Sequence, residues 1–188
     1  NTFYLMLKSA AENPAPLNEP QEFFANVRHA SHLFAGITDA TMSRTEAWHF
    51  GRLGRMMERA DKTTRFLDVK YFTLLPDIDA IGSPLDLLLW SAVLKSNSAY
   101  NMFRQQYKVV NPTNIVEFLI LDKGFPRSVV HCLTEAEQSL YAISGTSFDH
   151  GYSNLAEKKL SKILSEVQFT EIEDILNTGL HRSEEHTV

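Results

Sequence analysis

Apolar residues in this chain recur with the spacing of helix faces, and no segment alternates with the period of two that a strand would show. The clearest case begins in residues 49–72, HFGRLGRMMERADKTTRFLDVKYF, where Phe50, Leu53, Met57, Ala60, Thr64, Leu67, Tyr71 and Leu75 fall on one stripe. A second, narrower stripe carries Gly51, Gly54, Glu58, Asp61 and Arg65, and a third carries Trp48, Arg52, Arg55, Arg59 and Lys62. Glycine inside a helix costs about 1 kcal/mol relative to alanine. Two glycines one turn apart therefore predict that something, another helix or a ligand, comes close to the backbone beside Glu58. The segment reads as the central helix of a bundle.

Its limits follow from local chemistry. Ser43 and Glu46 form an S-x-x-E capping box that predicts a start near residue 44, and Pro76 stops the helix at about 75. The result is about 30 residues, or roughly 45 Å. Further helices are predicted at 1–11, ahead of the proline-rich ENPAPLNEP, and at 21–39, with Phe23, Val27, Ala30, Phe34 and Ile37 on one face. Ser83 and Pro84 open a long helix to about 108, whose apolar face includes Leu88, Val93 and Met102. Helices follow at 113–121, at 127–144 between Pro126 and Gly145, at 153–168, and at 171–178 behind a second capping box, Thr170 with Glu173. The fold class is all-α, a multi-helix bundle with one long helix at about 44–75.

With 188 residues, 44% hydrophobic and 22% charged, the chain is long and apolar enough for a single domain with its own core. A net charge of −5 argues against nucleic acid or an anionic membrane as partner, because both are bound through clustered positive charge. Cys132 is the only cysteine, which removes an intrachain disulfide or a cysteine zinc site and leaves a buried small hydrophobe in VVHCL. No apolar run approaches a membrane span and no signal peptide is present, so the cytoplasm is the expected compartment.

Candidate chemistry concentrates on the long helix. Glu58 reaches Lys62 at i+4 and Arg55 at i−3, and with Arg59 and Arg65 these side chains read first as an ion-pair network that fixes helix register. The alternative makes Glu58 a general base or ligand-binding carboxylate, with Arg55 and Arg59 gripping a phosphate or carboxylate and Gly51 and Gly54 making room. Arg127 and Ser128 open a helix behind Pro126 whose free amides suit an anion. Glu46 and His49 have the E-x-x-H spacing of a metal-binding helix, yet a di-iron bundle needs that motif twice and the chain holds no second copy. No metal or cofactor is expected. His29 and His32 sit on a polar helix face and read as solvated, whereas Asp149 and His150 lie in a loop with no nucleophile to serve. The sequence contains no G-x-S-x-G, no Walker loop and no G-x-G-x-x-G.

Three separated blocks, GITDATMSRTEAWHF, GRLGRMMERADKTTRFLDV and VEFLILDKGFPRSVVHCL, together resemble the bacterial alpha-E domain, an all-helical family named for a Glu-Arg motif. The motif here is Glu58-Arg59, and the resemblance runs from about residue 20 to about 181. It brings Asp122 and Arg127 forward beside Gly54, Arg55, Glu58 and Arg59 as site candidates. Such proteins are usually encoded beside a circularly permuted ATP-grasp protein and a transglutaminase-like protein, which implies an accessory role in a peptide or amide-bond-forming system. The rival reading is an enzyme or small-anion-binding protein built on the Glu58/Arg59 cluster.

Longer members of the resembled family carry an additional Glu-Arg segment near their start. A chain that opens without methionine inside the apolar run NTFYLMLKSA is therefore expected to be the C-terminal part of such a protein, with its domain over 1–181. The run RSEEHT resembles a translated sequencing-library adapter, so residues 182–188 are expected to be a non-native tail. On this reading Phe3, Leu5, Met6 and Leu7 lack a complete site to pack into, and the isolated chain is expected to self-associate.

Overall fold

The computed structural model describes residues 2–13, 18, 20–72, 83–147 and 151–175. Among these there are eight α-helices, one further helical turn at 172–175 and no strand, so the fold is all-α as the periodicity predicts. The chain divides into two compact units, 1–48 and 49–188, with the boundary inside the third helix.

In the first unit, α1 (Thr2–Glu12) lies beside α2 (Pro20–Thr41). The expected apolar face of α2 is only half covered. Phe23, Val27 and Ala30 are half-buried, whereas Phe34 and Ile37 are exposed and no residue of α2 is fully buried. After α2 the chain turns tightly, with the Thr45 amide donating to the Ser43 carbonyl at 2.8 Å. The third helix, α3 (Glu46–Phe72), starts behind that turn, two residues later than expected. Arg44 fixes this corner by stacking over Trp48 at 3.9 Å and pairing with Asp39 at 3.7 Å.

The second unit joins most of α3 to α4 (Pro84–Ser96), α5 (Tyr100–Gln106), α6 (Pro112–Leu121), α7 (Val129–Ser144) and α8 (Leu155–Phe169). Its helix ends are chemically explicit. Ser83, Asn111, Ser128 and Asn154 each accept a backbone amide three residues on, at 2.8 to 3.2 Å, and proline follows the first two at N1. Gly145 closes α7 at φ 69°, a left-handed cap that disfavours any residue with a Cβ.

Two apolar clusters form the core. One gathers Trp90 and Leu94 of α4, Phe103 of α5 and Ile115, Phe118 and Leu119 of α6 around Leu67 of α3. The other packs Met56 and Ala60 of α3 against Val130, Leu133 and Ala136 of α7 and Leu160 and Leu164 of α8. Cys132 belongs to the second cluster and is fully buried, as its apolar neighbours predict. Because α3 contributes to both clusters, it is central to this unit, as the sequence suggests.

The face that α3 buries keeps Ala60 and Leu67 of the expected stripe and differs from it in the rest. Met56, Ala60, Thr63, Leu67 and Lys70 are buried, a 4-3-4-3 spacing, whereas Phe50, Met57 and Thr64 are exposed. The seam is turned by one position because two polar side chains, Thr63 and Lys70, belong to it and find partners there. Lys70 donates to Asp86 at 2.7 Å and lies over the Trp90 ring at 4.7 Å. The side chains of Tyr71 and Leu75 lie outside the described residues, as does Pro76.

The helix expected over 84–108 is broken. Asn97, buried at 2% exposure, turns its Nδ2 back onto the Val93 carbonyl at 3.1 Å and its Oδ1 toward the Thr63 hydroxyl at 3.2 Å. Ser98 then takes φ 54°, the left-handed region, and α5 starts afresh. Of the expected apolar face Val93 is buried, whereas Leu88 and Met102 are exposed and Trp90, Leu94 and Phe103 are buried in their place. Further along, α7 and α8 each start two residues later than expected, behind Ser128 and Asn154. Thr170 ends α8, its hydroxyl donating to the Glu166 carbonyl at 2.6 Å, and of the segment expected at 171–178 only 172–175 is described as helix.

Candidate functional site

The turn between α6 and α7, residues 122–128, is held by its own first residue. Asp122 Oδ1 accepts the amides of Gly124 at 2.8 Å and Phe125 at 2.6 Å, an Asx-type turn. The Ser128 hydroxyl donates to the Asp122 carbonyl and accepts the His131 amide at 3.1 Å, so one side chain closes the turn and opens α7. His131 Nδ1 lies 2.9 Å from the Lys123 carbonyl.

The middle of α3 docks onto this turn through two residues one helical turn apart. Arg59 Nη1 donates to the Pro126 carbonyl at 3.1 Å. The Thr63 hydroxyl, with a single proton, has the Arg127 carbonyl at 2.9 Å, its own Arg59 carbonyl at 3.1 Å and Asn97 Oδ1 at 3.2 Å. Three elements, α3, the α4–α5 break and the 122–128 turn, thus meet at one buried hydroxyl. Two turns before Arg59 on α3, Arg52 forms an ion pair with Glu135 of α7.

Of the expected site residues, Arg59, Asp122 and Arg127 come together here, and Gly54 and Glu58 do not. Glu58 is exposed and, among the described residues, makes neither the pair to Arg55 nor the pair to Lys62 that helix spacing allows. A Cβ added at Gly51 or Gly54 would meet nothing within 4 Å, so the close approach inferred over the glycine stripe is not found. Arg55 is half-buried on the flank between them and Arg59. On the same exposed side Asp61 pairs with Arg65 at 2.8 Å, and this hydrogen bond holds the Asp61 carboxyl below its ordinary value.

Thr63 and Asn97 were not among the sequence candidates. No local pattern marks them, because each gains its role from a partner more than 30 residues away. Cys132 sits beside the same turn, its Sγ 3.6 Å from the Pro126 carbonyl. Burial pushes its thiol pKa up, and the positive charges of Arg59 and Arg127 pull against that rise. His29 and His32 are exposed on α2, and Asp149 and His150 lie outside the described residues. No three His, Cys, Asp or Glu side chains gather as a metal set among the described residues, and no described helix is long and apolar enough to cross a membrane.

Glu58-Arg59 is the one Glu-Arg pair in the sequence, and its two side chains part company: the arginine ties α3 to the turn, the glutamate faces out. Over residues 1–187 the chain matches the Alpha-E family, described as a predicted alpha-helical domain with a conserved ER motif. The chain belongs to the Alpha-E family. No curated protein and no solved structure matches it. In this Alpha-E domain the motif lies between Met56 and Ala60, the two buried α3 members of the second apolar cluster, and its arginine reaches the 122–128 turn.

Proposed function

We propose that this Alpha-E domain is an accessory, non-catalytic helical module of a cytoplasmic peptide or amide-bond-forming system, acting with a circularly permuted ATP-grasp ligase and a transglutaminase-like protein. The observation that carries the reading is the division of labour in the motif. Arg59 is taken up by the Pro126 carbonyl inside the fold, and Glu58 stands exposed beside Gly51 and Gly54, where backbone is open to an approaching protein. The ligase partner itself is motivated by the gene neighbourhood of the resembled family. Co-expression of the domain with the neighbouring ATP-grasp protein, followed by co-purification, tests it. A complex is expected that Glu58→Lys and Gly54→Leu weaken without lowering the melting temperature. Absence of a complex, or one indifferent to both substitutions, overturns the reading.

A second reading has one observation in its favour. Arg59 and Arg127 both bring positive charge to the start of α7 at Cys132, which suits a small anion such as a phosphate or carboxylate, with Arg55 and Glu58 on the adjoining flank. Titration with inorganic phosphate, followed by calorimetry, distinguishes it. Saturable binding lost in Arg127→Ala supports an anion site, and no heat of binding rejects it.

A further inference from the structure

We draw no further inference here: the strongest candidate, the exposed face of α3 around Phe50, Gly54, Met57 and Glu58, is an unpartnered helix face, and nothing in the structure shows what covers it.

Discussion

The Lys70 ammonium and the Asp86 carboxylate meet at 2.7 Å with side-chain exposures of 0% and 1%, joining α3 to the first turn of α4. Both charges have left water, so the pair is held by mutual attraction, by the Trp90 ring 4.7 Å from the ammonium and by the close packing around it. Asp86→Ala is expected to cost about 3 to 5 kcal/mol, because it strands a buried cation. The double variant Lys70→Met with Asp86→Leu removes both charges together and is expected to be markedly more stable than Asp86→Ala alone. Urea unfolding of the three proteins checks this. Equal losses in the single and double variants would mean that the pair is solvated.

Arg59 and Glu58 are adjacent in sequence and differ in environment. Arg59→Ala removes a charged donor from the Pro126 carbonyl and is expected to lower stability by about 1.5 to 3 kcal/mol. Glu58→Gln changes an exposed side chain and is expected to stay within about 0.5 kcal/mol of the parent. Thermal or urea melts separate the two. A destabilised Glu58→Gln would contradict the exposed position of that residue.

The glycines make opposite predictions. Gly54 has helical backbone and open space at its Cβ position, so Gly54→Ala is expected to stabilise the protein by about 0.5 to 1 kcal/mol. Gly145 has φ +69°, and Gly145→Ala is expected to destabilise by about 1 kcal/mol despite equally open space. If Gly54→Ala proves harmful instead, the open space recorded there is wrong.

Glu157 at the start of α8 gives the fold an acid-sensitive corner. Burial would raise its pKa, but hydrogen bonds from the Ser144 hydroxyl, the Ser153 amide and hydroxyl and the Asn154 side chain outweigh this and hold it below the ordinary glutamate value. A carboxyl depressed in the folded state binds its proton more readily when unfolded. Its contribution is therefore complete above the unfolded value of about 4.3 and is lost as pH falls through the lower folded value. Stability measured across this range is expected to fall less steeply in Glu157→Gln than in the parent. Parallel acid limbs would remove Glu157 from the account.

Helix ends were the most legible part of this chain. Ser83 with Pro84 ahead of α4 and Gly145 behind α7 act through residues within one turn, so local sequence suffices to place them, whereas α7 starts at its cap Ser128, two residues beyond the start inferred from Pro126. The buried face of α3 was not legible in the same way. Apolar periodicity assigns Phe50 and Met57 inward, yet Thr63 and Lys70 hold the inward seam because Asn97, Arg127 and Asp86 supply their partners from distant segments. The break at Asn97 has the same origin, since a side chain that bonds back to Val93 and across to Thr63 competes with the helix that LDLLLWSAVLKSNSAYNMFRQQY would otherwise continue. Within the candidate site, Arg59 was legible from the charged stripe of α3, Arg127 from the helix start behind Pro126 and Asp122 from the family-like blocks, whereas the hydroxyl that joins three elements carries no mark of its own.

Arg59 and Thr63 take the carbonyls of two consecutive residues, Pro126 and Arg127, from positions four apart on one helix. A helix advances by about 100° per residue. One residue inserted or deleted between these two positions would swing one donor a quarter-turn or more off the turn while the other stayed in place. Chain length between 59 and 63 is therefore as constrained as the side chains themselves, and variants of this segment are expected to tolerate exchange of residues far better than any change in their number.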